Sequence, residues 1–210
     1  MPYASSADIR SAAISEWDAA TGHRLFREVI ADTISDDEFE RYLRIEFAFI
    51  DTAAVALGAA VRLAPDMADR RALAAGLHEL LTTQVAFFED ALGAARSSIV
   101  PPSARSLHAV YRDISDGSSY AALLAAMLAA EWLYATWCSE TIGRPSARPH
   151  VRAWTEIHTG PDFTEHAAWL RSRLDTLAGD LGEDEATRVA DVFRETLSAE
   201  IRFHDAVYER

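Results

Sequence analysis

The sequence contains no lysine, no asparagine and a single cysteine among its 210 residues. Without lysine there is no Schiff base, pyridoxal anchor or P-loop lysine, and without asparagine there is no Cys-His-Asn triad. The lone Cys138 excludes an internal disulfide and a cysteine-based metal cluster, which fits a reducing cytoplasm. These absences remove several common enzyme classes from consideration.

Positive charge is also scarce, because 20 basic residues face 33 acidic ones and the formal net charge is −13. Such a balance disfavours attraction to nucleic acid or to an anionic membrane. The sequence shows no signal-peptide pattern and no uninterrupted apolar run of membrane-spanning length. We therefore expect a cytoplasmic protein with a neutral or cationic small-molecule partner, no nucleic-acid partner and no membrane.

The apolar residues recur at helical spacing, and no segment shows strand alternation. A chain of this length suits one domain, which predicts a single-domain all-α bundle over residues 16–210. Residues 1–15 are predicted to be a loose lead-in, with room for a short helix from Ser6. Ser35 and Glu38 form a capping box, and Pro65 ends the helix that follows. Helices are predicted at about 16–32, 35–63, 66–95, 104–114, 117–140, 151–158, 161–180 and 184–208, with loops at 97–103 and 143–150.

The segment 117–140 is the most apolar predicted helix. From Tyr120 to Ala130 it contains no charged residue, and a helix that is apolar on all sides is expected to be buried on all sides. Glu131 is the one carboxylate near its middle. Since a buried carboxylate must be paired, protonated or used in chemistry, the sequence predicts a buried role for Glu131.

Two other carboxylates share a helix face with aromatic side chains. Glu46 lies on the same predicted face as Tyr42 and Phe49, and Glu200 lies on the same face as Phe203. Each glutamate, taken alone, is more typical of an ordinary surface or salt-bridged residue. The pattern makes them candidates rather than assignments.

The thiol and the histidines give weaker signals. Cys138 lies near the C-terminal end of its helix, where the helix dipole opposes a thiolate, so we expect a buried structural cysteine. Glu200 and His204 have the i, i+4 spacing of a metal pair, but the chain offers few other ligands at suitable spacing. The tryptophans are typical of a core, although Trp132 flanks Glu131.

Several short segments together resemble the TenA (thiaminase II) family, whose members have the haem-oxygenase-like all-helical fold. His23–Phe26 resembles the family's His-x-x-Phe segment, and Phe39–Glu46 resembles its Phe-x-x-Tyr-Leu-x-Gln-Asp segment. Glu46 falls at the family's pyrimidine-binding aspartate, and Phe49 falls at a tyrosine. The resemblance implies a haem-oxygenase-like bundle of seven or eight helices.

The same resemblance extends through the C-terminal half of the chain. Tyr134 fits a site tyrosine, while Ala130 occupies the place of the family's nucleophilic cysteine. Glu200 falls on the catalytic glutamate with Phe203 beside it, and His158 lies where the family tends to have a tyrosine. The substrate-stacking tyrosine of the short helix corresponds either to Tyr111 or to His108, a choice that the sequence leaves open.

The chain thus resembles the cysteine-lacking branch of TenA-like proteins, in which carboxylates are thought to replace the thiol. The resemblance implies a hydrolase of an aminopyrimidine or a thiamin-related heterocycle that needs no metal or other cofactor. Glu200 is expected to be the general acid/base, Glu46 the substrate-orienting carboxylate and Glu131 an assisting carboxylate. The expected substrate-binding residues are Tyr134, Phe49, Phe203, Trp132, Tyr111 and His158.

Two other functions fit the same resemblance. One is a non-catalytic binding or accessory protein that holds an aromatic heterocycle. The other is a non-haem diiron oxidase, for which Glu46, Glu131, Glu200 and His204 would offer a partial ligand set. The resemblance also implies a homo-oligomer, a dimer or a tetramer.

Overall fold

The computed structural model describes residues 5–93 and 100–209, and in these residues the chain forms helices and short connections without a β-strand. The all-α prediction is confirmed. All eight predicted helices are present; the described residues contain eleven α-helices because one extra helix precedes them and two of them are divided. The helices are Ser6–Ala12 (α1), Ile14–Thr21 (α2), Arg24–Ile30 (α3), Asp36–Leu63 (α4), Met67–Glu79 (α5), Val85–Leu92 (α6), Arg105–Asp116 (α7), Tyr120–Cys138 (α8), Pro149–Thr159 (α9), Pro161–Ala178 (α10) and Glu183–Asp205 (α11).

The N-terminal segment is packed from Ser6 onward, which corrects the expectation of a loose lead-in there. The Ser5 side chain caps α1 by accepting a hydrogen bond from the Asp8 amide. Ile9 and Ala13 are buried in the core. Residues 1–4 of the predicted lead-in lie outside the described residues.

The predicted helix over 16–32 is in fact two helices, separated at Gly22 and His23. His23 has an extended backbone, and its Nδ1 accepts a hydrogen bond from the Leu25 amide, so its side chain caps α3. Histidine is an unusual N-cap, so no standard start signal marks this point in the sequence.

The long helix α4 starts and stops where the sequence predicts. Ser35 and Glu38 form the complete capping box, and the helix ends at Leu63. Asp66 then caps α5 through the amides of Ala68 and Asp69. Helices α5 and α6 are joined through one π-helical segment, Leu80–Gln84, a feature that often marks functional sites. Within the predicted loop 97–103, residues 97–99 lie outside the described residues.

Helix α8 is the centre of the bundle and packs against α10 and α11. Its residues from Ala121 to Ala129 are buried, as predicted. By length and composition it is the one candidate membrane span in the described chain, but 72% of the window Tyr120–Thr141 is buried inside the protein. The prediction fails locally at Glu131, whose side chain is 19% exposed because the surrounding helices leave a gap there.

Candidate active site

A cavity of about 610 Å³ lies inside the bundle, lined by α4, α5, the π segment, α7, α8, α9, α10 and α11. A volume of this size suits a drug-sized organic ligand. The cavity brings together side chains that are far apart in the sequence. Eight of the nine predicted site residues line it: Glu46, Phe49, Tyr111, Glu131, Tyr134, His158, Glu200 and Phe203.

Trp132 is the predicted site residue that does not line the cavity. Its ring lies 5.1 Å from the ring of Trp17, and the Arg10 guanidinium lies 4.7 Å from its centroid. Since successive helical residues point about 100° apart, Trp132 points away from the cavity that its neighbour Glu131 faces. Its role is packing between α8 and α2.

Glu46 is a buried carboxylate held by one hydrogen bond to an indole. The Trp154 Nε1 donates to Glu46 Oε2 at 2.9 Å, and the residue is 9% exposed. Burial raises the pKa of Glu46 to about 7, against the lowering effect of the nearby Tyr42 hydroxyl and of the Trp154 hydrogen bond. At neutral pH this carboxyl therefore exchanges readily between its two protonation states.

Glu200 lies deeper and has fewer partners. It is 2% exposed, and within the described chain its Oε2 has no hydrogen-bond partner. Burial, with the nearby charge of Glu46, raises the pKa of Glu200 to about 8. A carboxyl with such a pKa carries its proton at neutral pH and can donate it to a ligand.

Tyr134 is fixed by a short chain of hydrogen bonds. Tyr42 donates its hydroxyl hydrogen to the Tyr134 oxygen at 3.3 Å, and the Tyr134 hydroxyl lies 3.0 Å from His204 Nε2. Burial lowers the pKa of His204 well below its usual range, with a smaller contribution from His23. A neutral His204 accepts from Tyr134, which leaves this tyrosine ring immobile at the cavity wall.

Aromatic rings form one side of the cavity. Phe49 makes edge contacts with Tyr111 and Phe203 at centroid distances of 4.9 and 5.7 Å. His108 does not line the cavity, and its Nδ1 pairs instead with Thr52 Oγ1 at 2.8 Å. Of the two residues between which the sequence left the choice open, Tyr111 lines the cavity and His108 does not. Such a wall suits a flat heteroaromatic ring.

His158 is a buried, uncharged part of the wall. Its Nδ1 lies 2.8 Å from the Trp154 carbonyl oxygen, and its ring lies 5.2 Å from that of Tyr134. Burial lowers the pKa of His158 to about 4, against the raising effect of the Trp154 carbonyl. A neutral ring that donates through Nδ1 leaves Nε2 as a hydrogen-bond acceptor.

Glu131 is paired by a residue that the sequence analysis missed. His166 Nδ1 lies 3.0 and 2.8 Å from the two carboxylate oxygens of Glu131. Although burial lowers the pKa of His166, the charge and hydrogen bond of Glu131 outweigh it and raise that pKa. His166 belongs to no motif, and α10 must pack on α8 before the pair exists, so only the tertiary structure reveals it.

The cavity lining is acidic. Over the described residues it includes no arginine, and its one side-chain amide, Gln84, is the only glutamine in the sequence. Several of the acidic groups come from the parts of α5 and α10 nearest to solvent. Such a surface favours a neutral or cationic ligand over an anion. The carboxylate residues of the lining are Glu46, Glu79, Glu131, Asp162, Glu165 and Glu200.

The thiol and the possible metal ligands are not assembled for chemistry. Cys138 is fully buried, and burial raises the pKa of its thiol well above the usual range. Among the described residues no group of three or more His, Cys, Asp and Glu side chains is arranged to hold a metal ion. Of the residues named for the diiron alternative, His204 lies 3.6 Å from Glu200 Oε2 and 3.0 Å from the Tyr134 hydroxyl, whereas Glu131 pairs with His166.

Comparisons with known proteins agree with this architecture. The fold superposes on a TenA homologue from Pyrococcus furiosus with a TM-score of 0.88 and 20% identity, covering 97% of this chain and 99% of that one. It superposes on a TenA family transcription regulator from Silicibacter sp. TM1040 with a TM-score of 0.85 and 16% identity, covering 97% and 96%.

A third structure is similar, a protein from Sulfolobus solfataricus named as a TenA-like thiaminase. Its TM-score is 0.78 at 14% identity, with 96% of this chain and 94% of that chain covered. Identities this low establish the fold alone, and no curated protein matches the sequence. The model of the TENA/THI-4/PQQC family, however, matches residues 11–210. The chain therefore belongs to the TENA/THI-4/PQQC family.

Proposed function

We propose that the protein is a TenA-type hydrolase that acts on an aminopyrimidine or a thiamin-related heterocycle by carboxylate acid/base catalysis. The observation that carries this proposal is the presence of Glu46 and Glu200 in one aromatic-walled cavity, with pKa values raised to about 7 and about 8. Carboxyl groups with pKa values near neutrality can hold or release a proton at working pH, as acid/base catalysis requires.

Glu46 is the group that binds the heterocycle. Its two oxygens can accept hydrogen bonds from an exocyclic amine and from a protonated ring nitrogen together, as a carboxylate does with other planar two-donor groups. Phe49, Tyr111 and Phe203 provide the apolar edges against which the ring packs. The acidic lining supports a ligand that is neutral or positively charged.

Glu200 is the general acid. Because it holds its proton at neutral pH and its Oε2 makes no hydrogen bond in the described chain, with His204 Nε2 3.6 Å away, it can protonate a departing amine nitrogen. Glu131 is the assisting carboxylate on the opposite helix. Ala130, which lines the cavity beside it, offers no nucleophile, so the reaction proceeds by direct attack of water.

The test is hydrolysis of 4-amino-5-aminomethyl-2-methylpyrimidine and its formyl derivative by the purified protein. We expect turnover that falls by about 10²–10⁴ in Glu200→Gln, the usual contribution of general acid/base catalysis. Glu200→Gln keeps the size of the side chain but has no carboxyl proton. Equal rates for the wild type and this variant on every such compound would remove the enzymatic proposal.

The second candidate is a binding protein that holds the same kind of ring without turnover, and the alanine at position 130 favours it. Calorimetry beside the activity assay separates the two. Binding of the pyrimidine with no hydrolysis would identify a binding protein, whereas binding with Glu200-dependent hydrolysis would identify the enzyme.

A further inference from the structure

Within the described chain, the Glu131 carboxylate pairs with one side chain, that of His166. Both carboxylate oxygens lie within 3.0 Å of His166 Nδ1. The two side chains are 19% and 13% exposed, so water screens their interaction only partly. Because of this shielding, the pair holds the Glu131 carboxylate in place more firmly than an ion pair on the open surface would.

The opposite edge of the His166 ring lies against helix α5 at Gly76. A Cβ at position 76 would lie 2.6 Å from Nε2 and 2.8 Å from Cε1 of His166, so the ring fits there only because residue 76 has no side chain. The Trp169 ring lies nearly parallel to the imidazole, at 5.8 Å and 17°. Three helices, α5, α8 and α10, thus fix the ring.

Among residues 5–93 and 100–209, the His166 ring makes its polar contact with Glu131 alone. Its Nε2 is buried and has no hydrogen-bond partner in the described chain. The imidazole therefore has no competing partner to turn it away from the carboxylate. The other ionisable side chains that line the cavity from α5 and α10 are His78, Glu79, Asp162 and Glu165.

We propose that His166 is a positioning residue that holds Glu131, charged and oriented, as the base for the attacking water. The inference rests on the proposed function. The water oxygen bonds to the substrate carbon as the carbon–nitrogen bond breaks; the water proton passes to Glu131, and Glu200 gives its proton to the departing nitrogen. The water binds in the space beside Ala130, the position that corresponds to the family's nucleophilic cysteine.

The first test compares His166→Leu with His166→Asn. Leucine removes the donor to Glu131, whereas the asparagine amide can replace Nδ1. We expect kcat to fall about 10²-fold in His166→Leu with little change in KM, as misplacement of a catalytic group does, and to recover in part in His166→Asn. A His166→Leu variant that keeps the wild-type kcat would overturn the inference while leaving the proposed hydrolase intact.

Gly76→Ala perturbs the pair of His166 and Glu131 without changing either residue. Its methyl group must displace the imidazole edge, so we expect a loss of kcat similar to that of His166→Leu. Melting temperatures and calorimetric binding of the pyrimidine show whether the variants remain folded with an intact ring site. A folded Gly76→Ala protein with normal binding and normal kcat would count against positioning by His166.

The last measurement does not depend on turnover. Titration of the His166 ring by NMR in the wild type and in Glu131→Gln reports the coupling of the pair directly. We expect a lower midpoint in Glu131→Gln, because the carboxylate that raises the pKa is gone. An unchanged midpoint would refute the positioning role of His166 even in an active enzyme. If the wild type shows no hydrolysis in the activity assay, the role of Glu131 as a base is removed together with the proposed function.

Discussion

The indole Nε1 of Trp154 donates a hydrogen bond of 2.9 Å to Glu46 Oε2, and it joins helix α9 to helix α4 across the buried side of the cavity. Both residues are buried, so the bond is shielded from solvent. A bond to the charged form of a carboxyl favours ionisation, and it partly offsets the effect of burial on Glu46. Trp154 thereby contributes to the ionisation of Glu46 and fixes the orientation of its carboxyl group.

Trp154→Phe should raise the pKa of Glu46 further and weaken binding of an aminopyrimidine. The phenyl ring keeps much of the packing but has no N–H, so a buried carboxylate oxygen loses its partner, at a cost of about 1.5–3 kcal/mol for the charged form. Carboxyl ¹³C NMR titration and calorimetry measure the two effects.

Trp137→Phe is the matched control, because Trp137 is equally buried but its Nε1 has no hydrogen-bond partner in the described chain. Both substitutions remove the same atoms from stacked rings 4.9 Å apart. If the two variants shift the pKa of Glu46 equally, the hydrogen bond is not what controls it.

The stability of the protein should fall as the pH rises through the neutral range. Glu46 and Glu200 bind protons more tightly in the folded chain, with pKa values of about 7 and about 8, than in the unfolded chain, where they are about 4.5. The contribution of these two carboxyls to stability therefore decreases from about pH 4.5 to their folded-state pKa values. Below the ordinary histidine pKa of 6.5, His158 and His204 act in the opposite direction because their folded-state pKa values are lowered, so the net fall is expected above about pH 6.5.

The measurement is urea unfolding of the wild type, Glu46→Gln and Glu200→Gln from pH 5 to pH 9. At about 1.4 kcal/mol for each pKa unit, each variant should lose a pH dependence of a few kcal/mol. Glu40→Gln is the control, since Glu40 is half exposed and pairs with Arg44 at the surface. Parallel pH curves for the wild type and both buried-site variants would contradict the raised pKa values.

The fold could be predicted because its signals are local. The capping box at Ser35, the prolines at positions 65 and 161 and the apolar length of α8 each act within a few residues. The division at Gly22 was missed, because a histidine side chain provides the cap there. The π segment Leu80–Gln84 was also missed, since it lies inside continuous helix and no side-chain cap marks its start.

The site was predicted where a glutamate shares a helix face with aromatic residues, as Glu46 and Glu200 do. It was wrong at Trp132, which is next to a cavity residue in sequence and points elsewhere in space. His166 was missed because its partner Glu131 lies 35 residues away on another helix. A side chain whose role depends on contact between two helices cannot be identified from the periodicity of either helix in the sequence.

Phosphorylated pyrimidines should bind more weakly than the corresponding alcohols. The cavity lining of the described chain has six carboxylate residues and no arginine, so a phosphate group would enter a site of like charge without a cationic partner. We expect 4-amino-5-hydroxymethyl-2-methylpyrimidine to bind at least about tenfold more tightly than its phosphate ester, a difference of about 1.4 kcal/mol. Calorimetry at two salt concentrations measures it, and equal affinities at low salt would contradict the electrostatic argument.

Ala130→Cys should introduce a reactive thiol where the chain now has none. In the wild type, Cys138 is fully buried with a pKa raised well above its usual range, so iodoacetamide should leave the native protein unmodified. A cysteine at position 130 lines the cavity beside Glu131, and intact-mass spectrometry should show one added carbamidomethyl group. Cys138→Ala in the same background is the control, because labelling that survives it must come from position 130. Protection of Ala130→Cys by a bound aminopyrimidine would show that the ring and the new thiol share one cavity. Modification of the native wild type would mean that Cys138 is more accessible than its burial implies.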